Sequence, residues 1–216
     1  MQTRSRTWAA AILMAGCGMA MAAPKAAPPR SRLITGNSVG PVRIGMKLAE
    51  ARRLLPGSVL QRQFDGEGLP WVAILRNSEV LMLVLADDPG VDRNGSLAGD
   101  LRHPTSLLTT ENRIDETQRI DVIQVFHSAF RTLEGVGPET PLQEAEQKYG
   151  KLRRIEWSEV EQREYAYFSR SPKHLFFRVE GGSAGEAGLY GKKKGATAVT
   201  RHYAATARVL SITVGQ

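Results

Sequence analysis

A catalytic pattern occurs at Gly181–Gly185, which reads G-x-S-x-G with Ser183 at its centre. In serine hydrolases this pattern forms a turn between a strand and a helix, and the turn exposes the nucleophile. A strand is expected before the motif here, but Glu186–Gly191 does not resemble the start of a helix, and His202 is the only histidine that follows. We therefore interpret the segment as a glycine loop. The alternative is an envelope hydrolase that uses Ser183 or carboxylates brought together by the fold.

Metal-binding patterns in the chain are incomplete. Residues 90–101 resemble the middle of a calcium loop with its turn glycine, but the first ligand and the bidentate glutamate are missing. Asp88 and Asp100 lie one place out of register and could substitute, so a weak calcium site in the Asp88–Asp100 loop remains open. The histidines have no spacing typical of a zinc site: His103, His127, His174 and His202. The sequence therefore predicts no cofactor.

Basic residues are the remaining candidates for binding. Lys192, Lys193 and Lys194 form a cluster in a glycine-bounded loop, where they could contact a phosphate or an acidic partner, although such runs are usually solvated. Arg76 and Arg170 each end the second strand expected in their half of the chain. An arginine at a strand end caps carbonyl groups, pairs with a carboxylate, or contributes to a ligand groove shared by the two halves.

The elements that must position these residues follow one order twice. The sequence LAEA at 48–51 recurs as LQEA at 142–145, an offset of 94. In each half, apolar residues at helical spacing predict a helix, at 48–55 and 142–149, that ends at a glycine. Three strands, a long polar loop and a closing strand follow each helix. The expected strands are 59–64, 71–75, 80–85 and 120–126 in the first half, and 154–158, 163–169, 175–179 and 209–214 in the second.

This order predicts an α+β protein with two tandem repeats, each a helix packed on an antiparallel β-sheet. The first repeat would span 33–130 and the second 131–216, and the closing strands are offset by 89. A single repeat could not cover its own sheet well, so the two would share a core or align their sheets. The alternative is one domain whose halves resemble each other by pattern alone.

The N-terminus indicates export. Residues 1–22 combine two arginines with a short apolar core, as a signal peptide does. Cleavage after Ala22 would release a protein that begins at Ala23, whereas the small residues before Cys17 resemble a lipobox and would make that cysteine a lipid anchor. The Ala/Pro-rich residues 23–32 predict an extended tether.

The amino-acid composition excludes several further classes of protein. A lone cysteine excludes an internal disulfide, and no run of eighteen apolar residues follows the N-terminus, which excludes a multi-spanning membrane protein. The 216-residue chain has a formal charge of +7, and removal of residues 1–22 leaves 27 basic against 22 acidic residues, or +5. That excess lacks the dense basic face of a nucleic-acid-binding protein.

Two segments resemble known bacterial envelope proteins. GPVRIGMKLAEA at 40–51 resembles the glycine-containing turn that leads into a helix in many envelope domains of unknown function. Residues 119–142 resemble a strand-to-helix junction in the enterobacterial lipoproteins controlled by the envelope-stress sigma factor, with Glu139 where glycine is expected. The element order is also similar to that of the small lipoprotein of the β-barrel assembly machinery and of β-lactamase inhibitory protein. These resemblances imply no catalytic residues.

The sequence thus predicts a non-enzymatic periplasmic protein, either soluble or lipid-anchored. We expect it to bind an envelope protein or a cell-wall polymer through its sheet face or through the long loops 86–118 and 180–207. Contact with a membrane would come only through an N-terminal lipid. Four aromatic residues could form a binding patch, although we expect them to pack in the core: Trp71, Trp157, Tyr165 and Tyr167.

Overall fold

The computed structural model describes residues 28–64, 69–86, 114–181, 185–191 and 198–215. Strands dominate these residues, and two helices accompany them, so the predicted α+β class is confirmed in its coarse form. No helix within the described ranges is both long and apolar enough to cross a membrane.

Helix α1 spans Leu48–Leu54 and helix α2 spans Leu142–Tyr149, within one residue of the predicted ranges. Each of the eight predicted strands also has a counterpart in the structure, and its ends differ from the prediction by at most two residues. The strands are β1 Leu33–Thr35, β2 Ser38–Val39, β3 Val42–Arg43, β4 Ser58–Phe64, β5 Pro70–Arg76, β6 Glu79–Ala86, β7 Ile120–Val125, β8 Arg131–Thr132, β9 Leu152–Ser158, β10 Arg163–Phe168, β11 Leu175–Glu180, β12 Val199–Thr200 and β13 Arg208–Val214.

Nine of the strands form one antiparallel sheet in the order β12-β9-β10-β11-β13-β7-β6-β5-β4. The closing strands of the two halves, β7 and β13, pair with each other in its middle, where Ile212 lies opposite Val125. Asn77 and Ser78 join β5 to β6 with positive φ angles of 52° and 66°, as a tight hairpin turn requires. The two halves therefore contribute four consecutive strands each to a continuous sheet, and β12 extends it at one edge.

Both helices cover the same face of this sheet. Leu48 and Ala51 of α1 are buried one turn apart, and Leu142 and Ala145 of α2 repeat that spacing. Tyr149 at the end of α2 packs between aromatic rings of β10 and β11, with its centroid 5.3 Å from that of Phe177. One core cluster contains buried residues from both halves. The halves consequently share a core instead of folding as separate units.

A second, four-stranded sheet of order β3-β2-β1-β8 was not anticipated from the sequence. Its strands have two or three residues each, and β1 pairs in parallel with β8 so that Ile34 lies opposite Thr132. The buried side chains of Ile34, Val39 and Val42 belong to the shared core. The described chain begins inside the segment assigned as a tether, and there Arg30–Arg32 form a turn of 3-10 helix.

Candidate functional site

The nine-stranded sheet has a second face, here called the outer face, which points away from the two helices. Strand register assigns to it the residues that alternate with the buried core positions. On β5 and β6 these include Leu75, Leu83 and Leu85, and on β7 Val122. All four are half-buried, and none belongs to the core cluster. This half of the outer face therefore presents aliphatic surface to solvent.

The other half of the outer face, on β9 to β11, combines aromatic rings with arginines. Tyr167 lies opposite Arg154, whose guanidinium carbon is 4.2 Å from the centroid of the tyrosine ring, a cation–π distance. Tyr165 lies opposite Arg178 on the next strand. Phe176 on the same strand is half-buried and lies opposite Thr213. Tyrosine, phenylalanine and arginine are enriched at protein interfaces.

Arg178 has an electrostatically unusual place on this surface. Burial lowers the pKa of its guanidinium, and the positive charge of Arg163 adds to that effect, whereas Glu161 and Glu180 oppose it. Burial, followed by a hydrogen bond to Glu161, raises the pKa of Tyr165 to about 12. A partly desolvated cation beside a second cation is stabilised by any additional negative charge that approaches the face.

The two halves of the outer face meet at a buried polar contact. Gln124 on β7 donates a hydrogen bond from Nε2 to Ser211 Oγ on β13 at 3.1 Å, and both residues are buried. A buried amide without such a partner would destabilise the fold. The contact therefore fixes the seam between the halves with a side-chain bond as well as the backbone ladder.

The four aromatic residues singled out from the sequence are not core residues. Trp71, Trp157, Tyr165 and Tyr167 are all half-buried, and the core cluster contains none of them. The expectation that they pack in the core was therefore wrong. For Tyr165 and Tyr167, the alternation Arg163-Glu164-Tyr165-Ala166-Tyr167 is the signal that could have shown this, because its odd positions share one face of β10.

Arg76 and Arg170 lie far apart in the fold. Arg76 ends β5 near one edge of the large sheet, and four strands separate β5 from β10, after which Arg170 follows. β5 and β10 run in opposite directions, so the two arginines also lie at opposite ends of the strands. Arg170 is exposed, and its guanidinium lies 3.5 Å from the carbonyl oxygen of Lys148. The described residues thus do not bring them into one groove.

Arg76 lines a crevice of about 360 Å³ beneath the end of α1, here called the Arg76 crevice. Leu54 and Phe130 contribute apolar walls, and Arg32 and His127 contribute basic groups. His127 Nε2 lies 3.3 Å from a carboxylate oxygen of Glu79 at the rim. Of the two strand-end arginines predicted as binding residues, Arg76 is thus the one that lines this crevice.

A larger cavity, of about 570 Å³, lies at the opposite end of the central strands. Its lining includes the side chains of Asn37, Asp121 and His174, and His174 adopts a positive φ of 66°. Within the ranges that the structure describes, no three His, Cys, Asp or Glu side chains are grouped as a metal site. The cavity therefore combines three polar side chains that do not form a metal-ligand set within those ranges.

The segment after the glycine motif is fastened by Glu164, which sequence reasoning did not single out. Glu164 is buried at 3% exposure, and its carboxylate accepts hydrogen bonds from the backbone N–H groups of Ala187 and Gly188, the latter at 2.9 Å. The hydroxyl of Tyr190 donates a third bond at 2.7 Å. Gly188 also forms a β-bridge with Tyr203, so this segment is extended and not the helix that a nucleophile turn requires.

Several predicted site residues lie outside the described residues. They are Cys17, Ser183, Lys192, Lys193, Lys194, and the loop from Asp88 to Asp100. His103 lies there too, whereas His202 is exposed in a described loop. Their lipidation, catalysis, binding and calcium coordination stay predictions from the sequence.

The fold defines the chain as a sheet-dominated α+β protein, and comparison with known proteins adds little to that class. No protein-family model matches the chain, and no curated protein matches it. Among solved structures it is similar to the crystal structure of the uncharacterized protein yfeY from Escherichia coli, with a TM-score of 0.48 and 13% identity over 85% of this chain and 99% of that one. A similarity at this level establishes neither a family nor an activity.

Proposed function

We propose that the chain is a non-enzymatic protein of the cell envelope that binds another macromolecule through the outer face of its large sheet. The observation that carries this proposal is the composition of that face. It presents half-buried leucines on β5 and β6 and an arginine–tyrosine array on β9 to β11, all outside the core cluster. Partly exposed apolar side chains beside aromatic and charged ones are typical of an interaction site.

A protein is the favoured class of partner. Leu83 and Phe176 offer apolar area that a second packed surface could bury, and aromatic residues with arginine contribute most strongly to protein interfaces. A cell-wall polymer would use mainly hydrogen bonds and charge, for which the leucine-rich half of the face is poorly suited. The envelope location rests on the export signal in residues 1–22.

Matched leucine-to-lysine variants test the proposal. Leu83→Lys places a charge in the aliphatic half of the outer face, and Leu133→Lys makes the same change at a side chain that is 67% exposed elsewhere. Tagged mature protein carrying each change would be recovered from cell-envelope extracts, and circular dichroism would verify folding. We expect Leu83→Lys to lose a co-purifying protein that the wild type and Leu133→Lys retain. Equal recovery by both folded variants would contradict the proposal.

The tandem-repeat interpretation is part of the proposal, because a duplicated unit explains why each half of the chain contributes four strands in a similar arrangement to the sheet. Supporting it, the loop before each helix makes the same backbone hydrogen bonds to its closing strand, at the offsets of 94 and 89 that the sequence indicates. In the first half the bonds run from Gly45 N to Ile120 O (2.7 Å), from Leu48 N to Gln118 O (3.0 Å) and from Ile120 N to Met46 O (2.9 Å). The equivalent bonds of the second half run from Glu139 N to Val209 O (2.8 Å), from Leu142 N to Ala207 O (2.8 Å) and from Val209 N to Thr140 O (2.9 Å).

Backbone angles support the same equivalence. Gly45 and Glu139 both have positive φ, at 80° and 68°, three residues before their helices. Lys47 and Pro141, which precede the helices, both form isolated antiparallel bridges to an arginine of the closing segment. Amide exchange should therefore protect Leu48 and Leu142 to a similar degree. Protection of one without the other would count against a duplication.

Two N-terminal forms follow from the export signal, and intact mass separates them. Processing after Ala22 leaves an unmodified chain from Ala23, whereas a lipobox would leave an acylated Cys17. A mature mass that fits neither form, or an uncleaved chain, would contradict the proposed envelope location.

A further inference from the structure

The Arg76 crevice lies on the helix-covered side of the large sheet, away from the outer face. Leu54 and Leu55 at the end of α1 form one wall, and Leu81 and Phe130 form another. Leu55, Leu81 and Phe130 are at most 8% exposed, so these walls are part of the packed structure. The crevice thus has packed apolar walls on part of its surface and polar side chains on the rest, and it opens at the end of β5.

Arg76 enters this cavity without a protein counter-ion. Its buried Nε–H donates no hydrogen bond to the described residues, and no ion pair joins its guanidinium to them. Ser58, its cross-strand neighbour on β4, has a buried Oγ that is likewise unpartnered. Buried polar groups are nearly always hydrogen-bonded, and an arginine stays charged in proteins. An unpaired guanidinium at a cavity wall is therefore a site for an anion.

The other charges around the cavity favour an anion as well. Arg32 contributes a second guanidinium at the opening, and His127 is the third basic group. Glu79, the acidic group in the lining, lies opposite Arg76 across the β5–β6 hairpin. Its carboxylate is 71% exposed and lies 3.3 Å from His127, and no ion pair joins it to Arg76 among the described residues. The lining consequently carries two guanidinium groups, of Arg32 and Arg76, against the one carboxylate of Glu79.

From this arrangement we infer that the Arg76 crevice binds a small amphiphilic carboxylate, with the carboxylate at Arg76 and a short alkyl tail against the leucines and Phe130. A planar guanidinium matches a carboxylate through two parallel hydrogen bonds. A volume of about 360 Å³ is at the small end of known ligand sites and suits a chain of medium length, not a large cofactor. The apolar walls distinguish this ligand from a simple inorganic anion.

Calorimetric titration of the mature protein with sodium octanoate tests the inference. Sodium acetate supplies the head group without the tail, octan-1-ol supplies the tail without the charge, and octyl phosphate exchanges the carboxylate for a phosphate. We expect octanoate to bind at least tenfold more tightly than acetate or octanol, and more tightly than octyl phosphate. If acetate bound as tightly as octanoate, the alkyl tail would have no role in binding. If octyl phosphate bound more tightly than octanoate, the proposed preference for a carboxylate head group would be contradicted.

Arg76→Gln and Arg170→Gln form a matched pair, because the two arginines lie at or just after the end of the second long strand of their half and only Arg76 lines the crevice. Loss of one charge-assisted pair should weaken octanoate binding by Arg76→Gln roughly tenfold or more, whereas Arg170→Gln should stay within twofold of wild type. Without ligand, Arg76→Gln should melt at the same or a higher temperature than wild type, since an unpaired charge is removed. Unchanged affinity in Arg76→Gln, or its marked destabilisation without ligand, would overturn the inference.

A second variant separates the tail from the head. Leu54 is 49% exposed, so Leu54→Ser should leave the fold intact and weaken octanoate but not acetate. Leu83→Lys on the outer face should leave octanoate binding unchanged, which keeps this site independent of the proposed macromolecular partner. Octanoate binding that survives Leu54→Ser in full would contradict the placement of the tail.

Discussion

Glu164 provides the sharpest test of how the structure is stabilised. Its buried carboxylate accepts two backbone N–H groups and the hydroxyl of Tyr190, and these bonds attach the segment 185–191 to β10. Glu164→Gln keeps the shape of the side chain but turns one oxygen into an amide donor. Whichever oxygen is replaced, a backbone N–H of Ala187 or Gly188 then faces another donor and loses its partner.

The expected loss can be estimated from these contacts. A hydrogen bond to a charged group contributes about 1.5–3 kcal/mol, and a buried donor left without a partner costs about 1–3 kcal/mol. We therefore expect Glu164→Gln to lower the free energy of unfolding by about 3 kcal/mol. For a chain of this length that corresponds to a fall of roughly 6–12 °C in melting temperature.

Urea denaturation followed by circular dichroism measures this difference, and amide exchange localises it to Ala187 and Gly188. Glu156→Gln is the matched control, because Glu156 forms an ion pair with Arg154 on the outer face whose members are 31% and 47% exposed. That control should cost less than about 1 kcal/mol. A loss of under 1 kcal/mol in Glu164→Gln, with unchanged exchange at both amides, would refute the reasoning.

Two further predictions concern backbone strain and pH. Glu139 has a φ of 68°, a left-handed conformation that costs a residue with a side chain about 1–2 kcal/mol. Because its ion pair with Arg208 is largely exposed, Glu139→Gly should raise the free energy of unfolding by about 1 kcal/mol in urea titrations. A lower free energy of unfolding in this variant would contradict backbone strain at Glu139. Burial, with a hydrogen bond to a glutamate in each case, raises the pKa of Tyr165 and of Tyr203 to about 12. Because unfolded tyrosine titrates near 10, the stabilisation that these neutral phenols provide is complete below pH 10 and is lost as the pH rises towards 12. The urea midpoint should fall over that interval and fall less in Tyr203→Phe, and identical pH profiles for the two proteins would contradict this assignment.

The long elements could be predicted from sequence because their patterns repeat over several residues. Helix α2 has buried Leu142, Ala145 and Tyr149 at helical spacing, and Gly150 ends it with a φ of 75°. The nearly all-apolar β6 was expected inside the sheet, and it lies there between β5 and β7. The small sheet could not be predicted, since strands of two or three residues contain too few positions to establish a period of two.

The candidate sites were predictable only in part. Arg76 was recognisable as a strand-end arginine, but Arg32 and His127 join it through contacts that are distant in sequence, and no local pattern encodes them. The same is true of Glu164, whose partners lie more than twenty residues away. Paired side chains on different strands become neighbours only through the register of the whole sheet.

Site-specific photo-crosslinking tests most directly whether the outer face is occupied in the cell. A photoreactive residue at Tyr167 would lie in the arginine–tyrosine array, and one at Val160, which is 82% exposed in the turn between β9 and β10, serves as the control. We expect a discrete crosslinked protein from position 167 that disappears when Leu83→Lys is combined with it, and no such adduct from position 160. Equal adducts from both positions, or none from position 167 in folded protein, would contradict a binding role for this face.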